Sequence, residues 1–369
     1  MVSGIHRLIM KILHLIHRLN GGGAERQLCY LAPALVKLGH EVHVIYHQRA
    51  SGSLDLPGVV LHKIDASSNF DPFLFWQTYR ITKEIQPDLI NTWIMQMDII
   101  GGIISCWLGI PWVLREPSSK DAYPPTIKFG TRAFLASYAA KIISNSENGN
   151  NYWKPIVQEK RLCVVRNGVP LKAIASISRN NEKCVEGLVI PFFLSVGRLT
   201  RDATGNKNLK SLLSAVISLQ NNIEFGLAIC GDGPQSGELL EICENHSLGK
   251  RVQFLGKREA DIVWQLMKSS EAYISLSAFE GCPNTVLEAM ACECPLIVSD
   301  IPAHREILDE NSALFVDPAN IQQVSDAIMN ILSNPVNARL RAKSAFEKVQ
   351  KWDVEAMAKN YEKAYFSIL

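Results

Sequence analysis

The chain has 369 residues, of which 47% are hydrophobic and 20% charged, and its formal net charge is +2. These values are ordinary for a soluble globular protein, and the length is sufficient for two domains with separate cores. So small a net charge gives no reason to expect nucleic acid as a partner. The nine cysteines are an odd number without paired zinc spacing, which favours a reduced, cytoplasmic compartment.

The first twenty residues are a poor signal peptide, because histidine, lysine and arginine interrupt their apolar positions. We interpret residues 1–9 as an extension ahead of the fold. The most membrane-like run, from Ile99 to Leu114, is short for a span and contains Gly101, Gly102 and Pro111. We therefore predict a buried helix followed by a strand there, and no transmembrane segment.

The first half of the chain alternates strand-like and helix-like segments. A tight turn at Gly21-Gly22-Gly23 separates the first strand from an amphipathic helix at Ala24–Leu38. The predicted strands are Lys11–Ile16, Glu41–Tyr46, Val59–Ile64, Leu89–Thr92, Trp112–Arg115, Lys141–Ser144 and Leu162–Val165. Strands separated by helical lengths predict a parallel, doubly wound sheet.

Turn residues at Asn167-Gly168-Val169-Pro170, followed by a polar stretch, predict a linker between two domains. The alternation then resumes. The predicted strands are Phe192–Val196, Phe225–Cys230, Val252–Leu255, Tyr273–Leu276 and Pro295–Ser299, and the predicted helices are Leu209–Gln220, one from Ser236, Ala260–Ser269 and one from Thr285 to about Cys292. Aromatic residues at helical spacing from residue 351 to 369 predict a terminal helix that packs back across the domains.

These segments predict an α/β protein with two doubly wound parallel-sheet (Rossmann-like) domains facing each other across a cleft. We expect an N-terminal domain at 1–171, a C-terminal domain at 172–350 and the terminal helix at 351–369. Open parallel sheets bind ligands at the carboxyl ends of their strands, and the polar motifs of this chain follow predicted strands.

The stretch from Phe279 to Glu288 lies between a predicted strand and a predicted helix. A helix start offers unpaired backbone N–H groups and a positive dipole end, which suit an anion. Glu280 on the loop and Glu288 in the first helical turn would hold uncharged groups beside that anion, such as hydroxyls. Phosphate together with hydroxyls indicates a sugar nucleotide.

The glycines at 21–23 are equally consistent with a tight turn and with a loop beside a phosphate. A dinucleotide fingerprint would need G-x-G-x-x-G and an acidic residue after the second strand, whereas this chain has Tyr46-His47-Gln48 there. That pattern disfavours an NAD-dependent oxidoreductase.

Arg198 ends the first strand of the second half, and Lys207 follows shortly afterwards. Two cations at the carboxyl end of a strand could neutralise a diphosphate without a metal. A leaving diphosphate gains negative charge in the transition state, so fixed cations there lower the barrier as well as bind.

With these residues the chain resembles the glycosyltransferases called group 1 or family 4, which are retaining enzymes of the GT-B fold that use nucleotide sugars. The motifs that carry the resemblance span nearly the whole chain. They are Gly22-Gly23-Ala24-Glu25, Asn167-Gly168-Val169, Gly197-Arg198-Leu199 with Lys207-Asn208, Gly231-Asp232-Gly233-Pro234, Phe254-Leu255-Gly256, Glu280 with Glu288-Ala289-Met290-Ala291, Pro295, Asp300 and Glu306.

The resemblance implies roles for individual residues. Glu280 would contact the donor sugar and assist its reacting centre, Glu288 would hold the nucleotide ribose, and Arg198 and Lys207 would hold the diphosphate. The further donor-binding residues that we expect are Gly22, Gly23, Lys257, Arg258, Gly281, Pro283, Asn284, Thr285 and Val286. The leaving phosphate would accept the acceptor's proton, so we expect neither a separate base nor a metal or other cofactor.

Two departures from the family pattern affect these roles. The connection between Arg198 and Lys207 is longer than usual, so Arg201 could replace Lys207 at the diphosphate. The strand at Trp112–Arg115 ends without the histidine found in many members. On the acceptor side we expect Trp93, Asp98 and Arg115 to contribute.

Aromatic residues in the first half are consistent either with contact to a bilayer or with core packing. They are Phe70, Phe73, Phe75, Trp76 and Tyr79, together with Phe129, Phe134 and Tyr138 accompanied by Lys128, Arg132 and Lys141.

We therefore predict a hexosyltransferase that moves a sugar from a UDP- or GDP-sugar to a lipid-linked or polysaccharide acceptor in cell-surface glycan synthesis, such as lipopolysaccharide. It would be cytoplasmic, with peripheral contact at the inner membrane face and no nucleic-acid partner. The alternative is an inactive sugar-nucleotide-binding partner subunit of a glycosyltransferase complex.

Overall fold

The computed structural model describes residues 9–19, 22–49, 55–66, 71–118, 126–179, 185–200 and 207–369. Their contacts divide the chain into two compact units. Unit 1 extends to Gly168 and includes Val354–Leu369, whereas unit 2 is Val169–Asp353. The boundaries predicted at 171 and 350 fall near these two junctions, and the terminal helix belongs by its contacts to unit 1. The predicted extension at 1–9 and Arg201 lie outside the described residues, apart from Ile9.

Unit 1 contains a sheet of seven parallel strands in the order β5-β3-β1-β6-β7-β8-β9. Its strands are β1 Lys11–Ile16, β3 Glu41–Tyr46, β5 Val60–Lys63, β6 Leu89–Trp93, β7 Trp112–Glu116, β8 Lys141–Ser144 and β9 Leu162–Val164. A separate pair is formed by β2 Arg18–Leu19 and β4 Gln48–Arg49. Helices cover both faces of the sheet, which explains why β1 and β6 are buried at nearly every position rather than at alternate ones.

The helices of unit 1 are α1 Gly23–Lys37, α2 Pro72–Ile85, α3 Met95–Leu108, α4 Ile127–Ala136, α5 Glu147–Trp153 and, at the end of the chain, α14 Val354–Phe366. Helix α3 lies so close to the sheet that a Cβ on Gly101 would be 2.4 Å from Thr92 Cγ2. The apolar run Ile99–Leu114 is therefore a buried helix leading into β7, as predicted. Among the described residues, none of the helices is long and apolar enough to cross a membrane.

Polar contacts attach α14 to the rest of unit 1. Tyr365 donates a hydrogen bond to Asn91 Oδ1 at 2.6 Å, and Glu362 pairs with His40 at 3.0 Å. Tyr361 is buried and accepts from Arg115 Nε at 3.2 Å. A buried polar group without a hydrogen-bond partner costs free energy. These contacts therefore fix the position of α14, in addition to the packing of its apolar face.

Unit 2 contains six parallel strands in the order β12-β11-β10-β13-β14-β15. They are β10 Phe192–Val196, β11 Gly226–Cys230, β12 Val252–Gly256, β13 Ala272–Ser275, β14 Leu296–Ser299 and β15 Leu314–Val316. The helices are α6 Leu171–Ser176, α7 Leu209–Leu219, α8 Ser236–Asn245, α9 Ala260–Ser269, α10 Asn284–Ala291, α11 Pro302–Arg305, α12 Ile321–Ser333 and α13 Pro335–Val349. Apolar clusters lie on both faces of the sheet.

Strand order reverses once in each sheet, between β1 and β6 in unit 1 and between β10 and β13 in unit 2. This doubly wound arrangement is the one predicted from the alternation of segments. Ligands bind such sheets in the crevice at the carboxyl ends of the strands beside the reversal point. In unit 2, the segments that follow these two strands carry Arg198 and Glu280.

Candidate active site

An ion pair joins the segments that follow β10 and β13. The Lys207 ammonium donates to Glu280 Oε1 at 2.5 Å and to Ser277 Oγ at 3.1 Å. Ser277 Oγ in turn donates to Glu280 Oε1 at 2.9 Å. The side chains of Lys207 and Glu280 are 19% and 22% exposed, so the pair is partly shielded but reachable by a ligand.

The backbone around Lys207 is shaped to hold this contact. Asn208 has a φ of 49°, and its side chain donates to the Leu276 carbonyl at 2.7 Å, which ties the start of α7 to the end of β13. A Cβ on Gly197 would lie 2.7 Å from Lys207 Cε, so a larger residue there would displace the lysine stem. Residues from two strand ends thus build one site.

Opposing effects set the charge state of the pair. Burial raises the pKa of Glu280, but the charge and hydrogen bond of Lys207 and the Ser277 hydroxyl outweigh it, so the pKa is below its ordinary value. Burial lowers the pKa of Lys207, but Glu280 outweighs that effect and the pKa is raised. Both groups are therefore charged at neutral pH.

The glycine turn after β11 supports the loop that carries Arg198. Gly231 has a φ of +140°, and a Cβ there would lie 1.8 Å from the Gly197 carbonyl oxygen. The Leu199 amide donates to the Asp232 carbonyl at 3.0 Å, which connects the two loops. Arg198 is exposed on this loop, and Lys257 and Arg258 are exposed directly after β12. Arg198 thus follows β10, and Lys257 and Arg258 both follow β12, at the carboxyl edge of the same sheet.

The segment entering α10 is packed tightly. Gly281 and Pro283 are buried, and the Val286 amide donates to the Pro283 carbonyl at 3.1 Å. That amide, one of the three expected to hold phosphate, is therefore already engaged within the helix. Tyr273, which is fully buried, donates to Thr285 Oγ1 at 2.8 Å and so fixes the first turn.

Glu288 is buried, at 3% exposure, and it lies on α10. We expected it in the first helical turn, but α10 begins at Asn284, so Glu288 falls in the second turn. The sequence placed the helix start one residue late. Glu280, as expected, lies on the loop before the helix.

Gly22 and Gly23 belong to unit 1, whereas the other predicted donor-binding residues belong to unit 2. Gly22 caps α1, and its amide donates to Glu25 Oε2 at 2.8 Å. This contact is one half of a capping box, because Glu25 in the first turn accepts from the N-cap amide but glycine has no side chain to accept a bond in return. The structure thus shows that Gly22 caps a helix. The sequence had been consistent with a tight turn or with a loop beside a phosphate, and neither interpretation included this role.

The three predicted acceptor-side residues are buried in unit 1. Trp93 donates from its indole to His14 Nδ1 at 3.1 Å, and the Arg115 guanidinium lies 4.5 Å from the Trp93 ring centre. Asp98, which is fully buried, accepts from Arg132 Nε at 2.7 Å. These contacts are internal to unit 1 and describe packing and buried ion pairing.

Two residues that we had not counted in the site lie next to the ion pair. His304 on α11 is fully buried, and Ser299, at the end of β14, is fully buried as well. In the sequence, His304 is a single histidine between Asp300 and Glu306, and a loop histidine without a predicted partner usually has no functional role. Its burial and its contacts become visible only when β14 is placed beside β13.

Comparisons with known proteins agree with this architecture. The family described as "Glycosyltransferase Family 4" matches residues 21–173, and "Glycosyl transferases group 1" matches residues 186–349. The chain belongs to the group 1 and family 4 glycosyltransferases. It is an enzyme of the hexosyltransferase type, and the NAD-dependent oxidoreductase alternative is excluded.

Among its relatives is the N-acetylgalactosamine-N,N'-diacetylbacillosaminyl-diphospho-undecaprenol 4-alpha-N-acetylgalactosaminyltransferase of Campylobacter jejuni, 25% identical over 91% of this chain and 95% of the relative. The capsular polysaccharide biosynthesis glycosyltransferase CapH of Staphylococcus aureus is 24% identical over 81% of this chain and 84% of its own. The crystal structure of Anabaena Alr3699/HepE in complex with UDP-glucose superposes with a TM-score of 0.80 at 20% identity, over 97% of this chain and 100% of that one. The glycosyltransferase thus has the GT-B fold.

Within the described residues, no group of three or more histidine, cysteine, aspartate or glutamate side chains is arranged to hold a metal ion.

Proposed function

We propose that this glycosyltransferase moves a hexose from a UDP- or GDP-sugar to a lipid-linked or polysaccharide acceptor, with retention of configuration at the sugar. The observation that carries the proposal is the Lys207–Glu280 pair at the reversal point of the unit 2 sheet. A fixed cation there suits a diphosphate, and a fixed carboxylate suits sugar hydroxyls.

In the proposed reaction, Lys207 and Arg198 bind the diphosphate and stabilise the charge that it gains as the glycosidic bond breaks. Glu280 holds the donor sugar and stabilises the positive charge that develops at its reacting carbon. Glu288 contacts the ribose, and Lys257 and Arg258 lie near the base. The departing phosphate accepts the proton of the acceptor hydroxyl, and the new bond forms on the same face of the sugar.

The relatives support the acceptor class. The name of the Campylobacter relative describes a diphospho-undecaprenol-linked acceptor, and CapH belongs to capsular polysaccharide biosynthesis. A diphosphate-linked polyprenol is held in a bilayer, so an enzyme that uses one works at a membrane surface. We place this enzyme in cell-surface glycan synthesis, at the cytoplasmic face of the membrane.

An aromatic group in unit 1 supports contact with that surface. Phe73, Trp76 and Trp107 are 68%, 57% and 62% exposed. Edge-to-face contacts with Phe75 and Tyr79 hold Trp76 and Trp107 together. Amphipathic aromatic rings favour the membrane interface. Core packing, the other interpretation, accounts for Phe75 and Tyr79, which pack partly against the core of unit 1, but not for the exposed rings of Phe73 and Trp76.

The second aromatic group, Phe129, Phe134 and Tyr138, is accompanied by Arg132, which does not contribute to an exposed surface. Arg132 is only 2% exposed and is paired with buried carboxylates, so it cannot face a bilayer. Phe134 and Tyr138 are exposed at 64% and 60%. Phe70 lies outside the described residues.

The donor and mechanism are tested with the purified enzyme, a panel of UDP- and GDP-sugars, an undecaprenyl-diphosphate-linked acceptor and excess chelator. We expect nucleotide release that depends on the acceptor, and a product whose anomeric signal by NMR matches that of the donor. Release that requires an added metal ion, or a product of inverted configuration, would contradict the mechanism.

Membrane contact is tested by sedimentation with vesicles of phosphatidylglycerol and phosphatidylethanolamine. The Trp76→Ala/Trp107→Ala double variant should bind these vesicles more weakly than the wild type. The matched control is Trp352→Ala, which changes a partly buried tryptophan of unit 2. Equal binding by the wild type and the double variant would rule out this surface.

A further inference from the structure

A chain of hydrogen bonds leads from α11 to the ion pair of the candidate active site. His304 Nδ1 lies 2.8 Å from the Ser299 carbonyl oxygen and 3.3 Å from Ser299 Oγ. A carbonyl oxygen can only accept, so Nδ1 carries the ring proton. The Ser299 hydroxyl donates its own proton to the Ser277 carbonyl at 2.6 Å. His304 and Ser299 therefore hold each other and hold Ser277.

Ser277 connects this chain to the ion pair. Its hydroxyl donates to Glu280 and accepts from Lys207, while its carbonyl is fixed by Ser299. Strand β13 ends at Ser275, so Ser277 has no ladder partner that would hold its carbonyl. The Ser299 hydroxyl instead donates the hydrogen bond that the Ser277 carbonyl accepts.

The environment of His304 suits this role. The ring is fully buried, and its Nε2 has no hydrogen-bond partner among the described residues. Burial lowers the pKa of His304 to about 4, and Lys207 opposes its protonation as well. The ring is therefore neutral at physiological pH, and a neutral ring keeps Nδ1–H as a donor without adding a second cation beside Lys207.

We propose that Ser299 and His304 are positioning residues of this glycosyltransferase, which hold the Ser277 carbonyl and thereby place Glu280 and Lys207 for the reaction. The proposal rests on the proposed function of the Lys207–Glu280 site. Neither residue touches the sugar. Their effect is on geometry, and a displacement of about 1 Å at a catalytic group can cost about a hundredfold in rate.

Four variants distinguish the contributions of the Ser299 hydroxyl and of the two ring nitrogens of His304. Ser299→Ala removes the donor to Ser277, and His304→Ala removes the donor to Ser299. In His304→Asn the amide nitrogen takes the place of Nδ1, whereas in His304→Gln the longer side chain places it near Nε2. The matched control is Ser325→Ala, since Ser325 is also buried in unit 2, and among the described residues its hydroxyl contacts Ser218 and donates to the Ile321 carbonyl of its own helix.

Wild-type turnover is measured first, and then kcat and the donor KM of each variant. We expect kcat to fall at least about tenfold in Ser299→Ala and His304→Ala, with little change in KM, because misplacement affects the reacting geometry more than ground-state binding. His304→Asn should recover most of the rate, and His304→Gln should not. Ser325→Ala should match the wild type.

A second measurement does not depend on activity. The Glu280 carboxyl is titrated by carbon NMR, and its pKa should rise in Ser299→Ala relative to the wild type and Ser325→Ala. If the wild type transfers no sugar, the proposed function fails and this titration alone decides the positioning role. An unchanged Glu280 pKa, wild-type kcat in both alanine variants, or rescue by Gln rather than Asn would overturn the inference.

Discussion

Lys207 and Glu280 are 73 positions apart in the chain, yet the ammonium and carboxylate are 2.5 Å apart. Each keeps the other charged in a partly buried site, against the effect of burial. In the proposed function, the pair preorganises the two charges that contact the diphosphate and the donor sugar. A diphosphate that binds Lys207 would share its ammonium with Glu280, so donor binding and the placement of the carboxylate are coupled.

Lys207→Met should reverse the direction of the Glu280 pKa shift. Without the ammonium, burial is the largest remaining effect, and it raises the pKa above the ordinary value of 4.5. Carbon NMR titration of Glu280 measures this change directly. A pKa that stays below its ordinary value would show that Lys207 does not set it.

Arg198→Ala should weaken donor binding by about tenfold or more, because a charged hydrogen bond to phosphate contributes roughly 1.5–3 kcal/mol. The measurement is calorimetry with UDP and GDP in the presence of chelator. Arg198→Lys keeps the charge but loses the two-pronged contact, so its affinity should fall between those of the wild type and the alanine variant. Equal affinity in all three proteins would remove Arg198 from the diphosphate site.

Arg132→Met should destabilise unit 1 by about 3–5 kcal/mol, because it leaves two buried carboxylates, Asp98 and Glu116, without their cation. Denaturant unfolding measures the loss. The matched control is Arg80→Met, which breaks the exposed pair with Glu84 on α2 and should cost less than about 1 kcal/mol. Similar costs for the two variants would contradict the structural role of the buried cluster.

The stability of the protein should depend on His304 in a defined pH range. The pKa of His304 is about 4 in the folded chain against an ordinary 6.5, so between these values the unfolded chain binds a proton that the folded chain does not. Stability therefore falls as pH decreases through this range, by roughly 3 kcal/mol for this group. His304→Asn lacks the group, so its free energy of unfolding should change less from pH 6.5 to pH 4. Parallel pH profiles for the wild type and His304→Asn would contradict the folded-state pKa.

Much of the fold could be predicted from the sequence because parallel strands covered on both faces are apolar runs. Strand β3 has the predicted bounds, and β10 does as well. Strand β15 was missed, since three residues carry too little periodicity to be seen. The pairing of β2 with β4 was missed for the same reason.

The site was predictable in part for a different reason. Glu280 and Lys207 occur in motifs with fixed spacing after strands, so their residue types and positions indicated a sugar nucleotide. The contact between Lys207 and Glu280, and the hydrogen bonds from Ser299 and His304, depend on the order of strands in the sheet. A local sequence pattern does not specify that order. The burial of Trp93, Asp98 and Arg115 likewise follows from packing between distant segments.

The central claim is that Glu280 acts on the donor sugar during transfer. The most direct test is the rate of sugar transfer by Glu280→Gln, compared with the wild type and with Lys210→Met, which breaks an exposed ion pair with Glu238 in the same unit. We predict that Glu280→Gln loses about a hundredfold or more in kcat while still binding nucleotide, and that Lys210→Met retains the wild-type rate. Transfer by Glu280→Gln at the wild-type rate would contradict the claim.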